Sequence, residues 1–188
     1  MKLLEERILK DGIVSGNVLK IDSFLNHQID VNLISKCGEE WYRLFKDEGI
    51  TKILTIESSG IGIACITAQH FGVPVLFAKK TTGITTDKDY HSVKVVSFTH
   101  GNTYRVVAAK QFLTSSDRVL IIDDFLANGT GVKALIDICS LAGATVVGCG
   151  VAVEKAFQQG GARIRERGIR LESLAKIKSM NDGKIEFC

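Results

Sequence analysis

The segment VLIIDDFLANGTG, residues 119–131, constrains this chain more than any other stretch. Four consecutive apolar residues read as a strand buried on both faces, which requires neighbouring strands on each side and helices above and below. The run delivers two adjacent carboxylates, Asp123 and Asp124, to its carboxyl end. The backbone then turns through Ala127, Asn128, Gly129, Thr130 and Gly131 into a helix-period segment. Ligands of open α/β sheets bind at that edge. Such a turn offers free N–H groups, a helix start and the Thr130 hydroxyl, which together cradle a phosphate. Gly129 and Gly131 let the backbone approach the anion closely. Acids beside a phosphate cradle make chemical sense when they face sugar hydroxyls or a metal, and ribose hydroxyls with Mg²⁺ on a pyrophosphate suit both. Paired acids at a strand end also occur in receiver-type domains, but those lack the glycine-rich turn. A dinucleotide fold would place its glycines directly after the strand.

The rest of the chain repeats this strand–helix rhythm. KILTIE (52–57) is a short apolar run, followed by a turn, a helix over 61–71 and Gly72. VPVLFA (73–78) is the next strand, with Pro74 at its start, where a missing donor is tolerated. Residues 130–142 show Val132, Leu135, Ile136 and Cys139 on one helical face, and TVVGCGVAV (145–153) is another buried strand. Nearer the start, residues 2–11 form a short helix. In 31–48, Ile34, Cys37, Trp41, Leu44 and Phe45 recur at helical spacing before Gly49. The fold class is therefore α/β: a mostly parallel twisted sheet with flanking helices. Residues 81–117 break the rhythm. A polar stretch and two strands, 92–98 and 104–110, around THGN read as a flexible flap. LESLAKIKSM and IEFC read as a second hairpin across Asp182-Gly183.

The whole chain, 188 residues, suits a single domain. A net charge of +3 accommodates an anionic substrate and falls short of a nucleic-acid-binding surface. Five Cys without a C-x-x-C pair argue against a zinc site and a disulfide framework, and so for a reducing, cytoplasmic compartment. The charged start MKLLEERILKDG is unlike a signal peptide, and no apolar run approaches the ~18 residues of a membrane span.

VLIIDDFLANGTG resembles the signature of the type I phosphoribosyltransferases. That resemblance implies that Asp123 and Asp124 hold the ribose hydroxyls of phosphoribosyl pyrophosphate and that the loop 127–131 holds its 5′-phosphate. Asn128 stands where many members carry Thr, and its amide can still cap the helix. ESSGIG (57–62) is similar to the pyrophosphate loop of the purine branch, which implicates Ser58 and Ser59, with Glu57 near the ribose. FAKK (77–80) supplies Lys79 and Lys80 at a strand end, and either could face the pyrophosphate. VLKIDSFLNHQID (18–30) resembles the N-terminal hood of the xanthine-using group, in which Leu19 and Asn26 would contact the base. VAVEKAFQ (151–158) resembles the same group and places Lys155 just beyond a strand. An ammonium is a donor only, so it pairs with a purine oxygen and rejects the amino group of adenine. Phe125 either stacks on the base or packs in the core.

The resemblance covers essentially the whole chain and implies a hood from residues 1–30, to which the C-terminal hairpin can add. It also implies a homodimer, Mg²⁺ carried with the pyrophosphate rather than a metal held by protein ligands, and transfer of a phosphoribosyl group to xanthine. Guanine or hypoxanthine as the preferred base, and a non-enzymatic sensor of phosphoribosyl pyrophosphate, are the alternative readings. The sensor would need a DNA-binding element that the first 30 residues lack.

Overall fold

Residues 1–82, 88–96, 103–181 and 183–188 are described by a computed structural model. The chain opens with α1 (Lys2–Asp11), then a small hairpin of β1 (Ile13–Ser15) and β2 (Val18–Lys20), joined by Gly16 and Asn17. One turn of π-helix, Asp22–Asn26, leads into α2 (Val31–Phe45). Asp30 starts α2 by accepting from the Leu33 N–H at 3.1 Å, and Gly49 closes the segment in the left-handed region. Next come β3 (Lys52–Ile56), α3 (Ser59–Phe71), β4 (Val75–Thr81), β5 (Tyr90–Val96) and β6 (Thr103–Ala109). The remaining elements are β7 (Arg118–Leu126), α4 (Thr130–Ala142), β8 (Thr145–Lys155), α5 (Gly160–Glu166), β9 (Leu171–Asn181) and β10 (Lys184–Phe187).

Eight strands form one sheet in the order β10-β9-β8-β7-β3-β4-β6-β5. The run from β9 to β4 is parallel, and β10, β6 and β5 pair antiparallel. Numbered along the chain, the five parallel strands lie 2-1-3-4-5, so the winding direction reverses between β3 and β7. A crevice opens at the carboxyl ends of such a pair.

Strand β7 shows why both faces must be covered. Val119, Leu120, Ile121 and Ile122 are all 0% exposed. Leu120 and Ile122 join the apolar cluster built on Ile34, Cys37, Trp41 and Phe45 of α2 with Ile63 and Ala64 of α3. Val119 and Ile121 join the opposite cluster, with Val132, Leu135 and Ile136 of α4. The alternation of side chains along a strand thus feeds two cores from one apolar run.

Several boundaries differ from the sequence expectation. β7 continues past Asp123 to Leu126, because Phe125 and Leu126 keep pairing with Val153 and Glu154 of β8. The acids are therefore held inside a ladder rather than in a free turn. β8 likewise runs on to pair Lys155 with Ile177, so Lys155 ends the strand instead of lying beyond it. Pro74 precedes β4, and its carbonyl accepts from the Ile53 N–H at 3.0 Å. The hairpin at Gly16-Asn17 and helix α5 had no counterpart in the sequence reading. The flap strands pair as β5 and β6, while their THGN turn, residues 83–87 and Asp182 lie outside the described residues.

Candidate active site

The reversal between β3 and β7 brings three turns to one edge. At the end of β7, Asp123 and Asp124 are 6% and 7% exposed, and the Asp124 N–H donates to Asp123 Oδ1 at 3.1 Å. Burial first, and the Asp124 charge second, push the Asp123 carboxyl well above the ordinary carboxylate range, while Lys80 pulls the other way. Ionisation of Asp123 is therefore disfavoured in the ligand-free protein, and hydroxyl donors or a cation beside the pair would favour the charged form.

After β3 the chain passes through a cis Glu57–Ser58 peptide into α3, with Ser58 exposed and Ser59 in the first turn. Gly60 has no room for a side chain. A Cβ there would overlap the Thr55 hydroxyl and lie 2.9 Å from Asp123 Oδ1. The start of α3 is thus pressed against the acid pair. Thr55 is fully buried, and among the described residues its hydroxyl has no hydrogen-bond partner.

Lys79 and Lys80 point to different places, as neighbours in a strand must. The charge of Lys80 acts on Asp123, and the Lys80 N–H donates to Glu57 Oε1 at 2.6 Å. The Lys79 ammonium lies 5.8 Å from the Phe77 ring centroid, along a separate apolar groove with Tyr90 and Phe112. Glu57 is therefore engaged with the β4 backbone through one carboxylate oxygen.

The third turn, Ala127–Gly131, lines a cavity of about 230 Å³ together with Asp123, Phe125, Leu126 and Val132. Gly129 has φ 78° and caps α4, and its carbonyl accepts from the Lys133 N–H at 2.8 Å. Asn128 is exposed and does not cap the helix, contrary to the sequence expectation. The need for glycine at 129 also has a second cause. A Cβ there would lie 2.9 Å from Gly160 Cα, so close packing against α5 constrains it as well as any ligand. At Gly131 an added Cβ would meet its nearest atoms, Asp123 Oδ2 and Ile56 Cγ2, at 3.9 Å, so that side of the loop is open.

Lys155 and Phe125 meet on adjacent strands. The ammonium lies 5.8 Å from the Phe125 ring centroid and donates to the Asn17 carbonyl of the hood hairpin at 2.9 Å. Burial holds the Lys155 amine below the ordinary lysine range. Asn26 ends the π-helical turn with its Oδ1 buried and, among the described residues, without a partner. Gln158, three residues after Lys155, leaves a second such oxygen. Buried orphan acceptors await a donor, which a ligand can supply. The Leu19 side chain, 5% exposed, packs in the core cluster with Leu4 and Ile8. Its side chain is thus a support of the hood. Ile29 seats the hood on α3, where a Cβ at Gly62 would overlap Ile29 Cδ1.

Sequence reasoning missed Asn17, Thr55, Gln158 and Gly160. Of these only the Gly160-Gly161 pair carried a visible signal, two glycines shortly after a buried strand.

Comparison with known proteins bears on the family and the fold. Residues 21–174 match the family described as phosphoribosyl transferase domain. A xanthine phosphoribosyltransferase of Lachnoclostridium phytofermentans is 60% identical over 190 residues, covering 100% of this chain and 98% of the relative. One of Bifidobacterium longum is 54% identical over 191 residues, covering 100% and 99%. Among solved structures, an adenine phosphoribosyltransferase of Giardia lamblia complexed with 9-deazaadenine aligns with a TM-score of 0.78. It is 21% identical and covers 92% of this chain and 97% of its own. At that identity the likeness bears on the fold alone.

Proposed function

The chain belongs to the phosphoribosyl transferase domain family, and from that premise we propose that it transfers the phosphoribosyl group of 5-phospho-α-D-ribose 1-diphosphate to xanthine. The products are xanthosine 5′-monophosphate and pyrophosphate, a purine salvage reaction, and the enzyme is a pentosyltransferase. One juxtaposition carries the reading: Asp123, Asp124 and the 127–131 loop share the switch-point edge with Phe125, which lies beside a donor-only group, Lys155. End-to-end similarity to relatives that bear the name xanthine phosphoribosyltransferase supports the base.

Each group then has a task. The N–H groups of 127–131 and the Thr130 hydroxyl hold the 5′-phosphate. Asp123 and Asp124 accept from the ribose hydroxyls and face the positive charge that develops at the sugar carbon. Ser58, Ser59 and Lys80 hold the leaving pyrophosphate, with Lys79 directed away from it. Phe125 stacks on the base, and Lys155 donates to a purine oxygen. Asn26 and the Leu19 main chain complete the base pocket. The chemistry is largely positioning, and the β5–β6 flap excludes water from it.

Mg²⁺ fits the donor set. Among the described residues no group of three His, Cys, Asp or Glu side chains could cage a metal. Mg²⁺ commonly takes one or two carboxylates and completes its shell with phosphate oxygens and water. Asp123 and Asp124 are such a pair, buried side by side, with the Lys80 charge acting on Asp123. When bound, Mg²⁺ would neutralise the leaving pyrophosphate.

A homodimer is part of the same reading. The groove of about 590 Å³ beside Pro74, rimmed by exposed Phe77 and Phe112, offers apolar surface for a second copy. Among the described residues no helix is long and apolar enough to cross a membrane. The same reading puts the enzyme in the cytoplasm. The test is pyrophosphate release at fixed phosphoribosyl pyrophosphate with xanthine, guanine, hypoxanthine or adenine. Xanthine should give the highest kcat/KM. A preference for adenine would overturn the assignment, and a preference for guanine or hypoxanthine would move the enzyme to the neighbouring base class.

A further inference from the structure

Helix α5 meets the 127–131 loop through a glycine that the reaction as described so far does not use. The Gly160 N–H donates to the Ala127 carbonyl at 3.1 Å. A Cβ on Gly160 would overlap that same oxygen and lie 2.7 Å from Gly129 N and 2.9 Å from the Asn128 carbonyl carbon. Gly160 and Gly161 are absent from the positive-φ residues, so both are glycine for space rather than for conformation. At Gly161 the space is filled by an ion pair: a Cβ there would overlap Glu154 Oε1 and lie 2.6 Å from Arg165 Nη1.

That pair is built as a clamp. Glu154, on β8, is 2% exposed and accepts from both Arg165 terminal nitrogens, at 2.7 and 2.8 Å, and from the Ser173 hydroxyl of β9. Burial alone would raise its carboxyl, but the bonds from Arg165 and Ser173 outweigh burial and keep it below the ordinary carboxylate range. Arg165 belongs to the last turn of α5 and reaches back past Gly161 of the first, so the sheet grips the helix along its length.

We propose that Gly160, held by the Glu154–Arg165 clamp, is the positioning seat of the phosphate loop. The proposal rests on reading 127–131 as the site of the 5′-phosphate. Its physical basis is the planarity of the peptide unit. The C=O of Ala127 and the N–H of Asn128 belong to one trans peptide and point in opposite directions. By drawing the carbonyl toward α5, Gly160 turns the adjacent N–H away from the helix and removes a repulsive oxygen from the face that meets an anion. The clamp sets the height of α5 and hence the tilt of that peptide.

The experiment uses the intact enzyme, with ribose 5-phosphate and pyrophosphate as competing probes against phosphoribosyl pyrophosphate. Gly160→Ala forces the peptide to shift and should raise the inhibition constant of ribose 5-phosphate by about 10- to 100-fold, the usual consequence of misplacing a binding group by about 1 Å. The constants for pyrophosphate and the KM for xanthine should stay near wild type. Glu154→Gln should act in the same direction but more weakly, and Glu154→Asp should lie between Glu154→Gln and wild type. Equal weakening of both probes would mean a general loosening and would overturn the proposal, as would an unchanged ribose 5-phosphate constant in Gly160→Ala. Should Gly160→Ala fail to fold, Glu154→Gln decides alone on the same criterion. Thr130→Val in the loop itself separates the two layers. If it leaves ribose 5-phosphate inhibition intact, the loop reading fails. If it weakens that inhibition while Gly160→Ala does not, only the positioning role fails.

Discussion

Replacing Lys155 with Met removes one charge while keeping the apolar stem beside Phe125. The structure sets the size of the effect. Lys155 is half-buried, and its ammonium already donates to the Asn17 carbonyl at 2.9 Å. An ammonium has three donors, so it can keep that carbonyl and still serve a purine oxygen. A hydrogen bond to a charged group contributes about 1.5–3 kcal/mol net, and a half-buried position points to the lower part of that range. A loss of about 1.5–2 kcal/mol is roughly a 10- to 30-fold fall in kcat/KM for xanthine. The KM for phosphoribosyl pyrophosphate should hardly move, because the acids and the phosphate loop lie on other turns. A pH series sharpens the test. Burial lowers the Lys155 pKa, and the protonated form is the useful one. The advantage of wild type over the Met variant should therefore shrink as pH rises through that lowered value, and should be full below it. Steady-state kinetics on both proteins from neutral to alkaline pH makes the measurement. Unaltered xanthine kinetics, or a ratio independent of pH, would refute the reasoning.

Three further outcomes are expected. Asp123→Asn should cut turnover severely yet stabilise the free protein, because burial and then Asp124 raise the native carboxyl pKa. Both states are protonated below about pH 4, so the gain is absent there and grows with rising pH, visible in scanning calorimetry as about 2–4 °C per kcal/mol. Gly150→Ala puts a Cβ 2.7 Å from both Ile122 Cδ1 and Trp41 Nε1, and should cost about 1–3 kcal/mol in denaturant unfolding, as overpacked cores do. Chelating Mg²⁺ should abolish turnover without lowering the melting temperature of the ligand-free protein. A fall in that temperature would point to a metal held by the protein itself.

How much of this was readable in the residues depended on how local the cause was. The run at 119–122 disclosed a doubly covered strand because its side chains feed two cores at once. The acids and glycines that follow it stand at the carboxyl edge of that strand, as their order in the sequence implies. The extension of β7 and β8 to Leu126 and Lys155 depends on pairing with a partner strand, which no single segment reveals. Which of Lys79 and Lys80 acts on Asp123 depends on the register of β4, since adjacent residues face opposite ways. Helix α5 has only 7 residues and opens on two glycines, too little for a helical apolar pattern to show. Only the packing of Gly160 against Ala127 discloses why they stand there. The hood hairpin escaped notice because each of its strands has 3 residues.

The most direct test of the central claim is a crystal structure of the protein with xanthosine 5′-monophosphate. The account predicts the 5′-phosphate on the N–H groups of 127–131 and the ribose hydroxyls on Asp123 and Asp124. It places the purine against Phe125, with the Lys155 ammonium within hydrogen-bond distance of a purine oxygen. A phosphate bound instead at the 57–62 turn, or a base that does not touch Lys155, would contradict it.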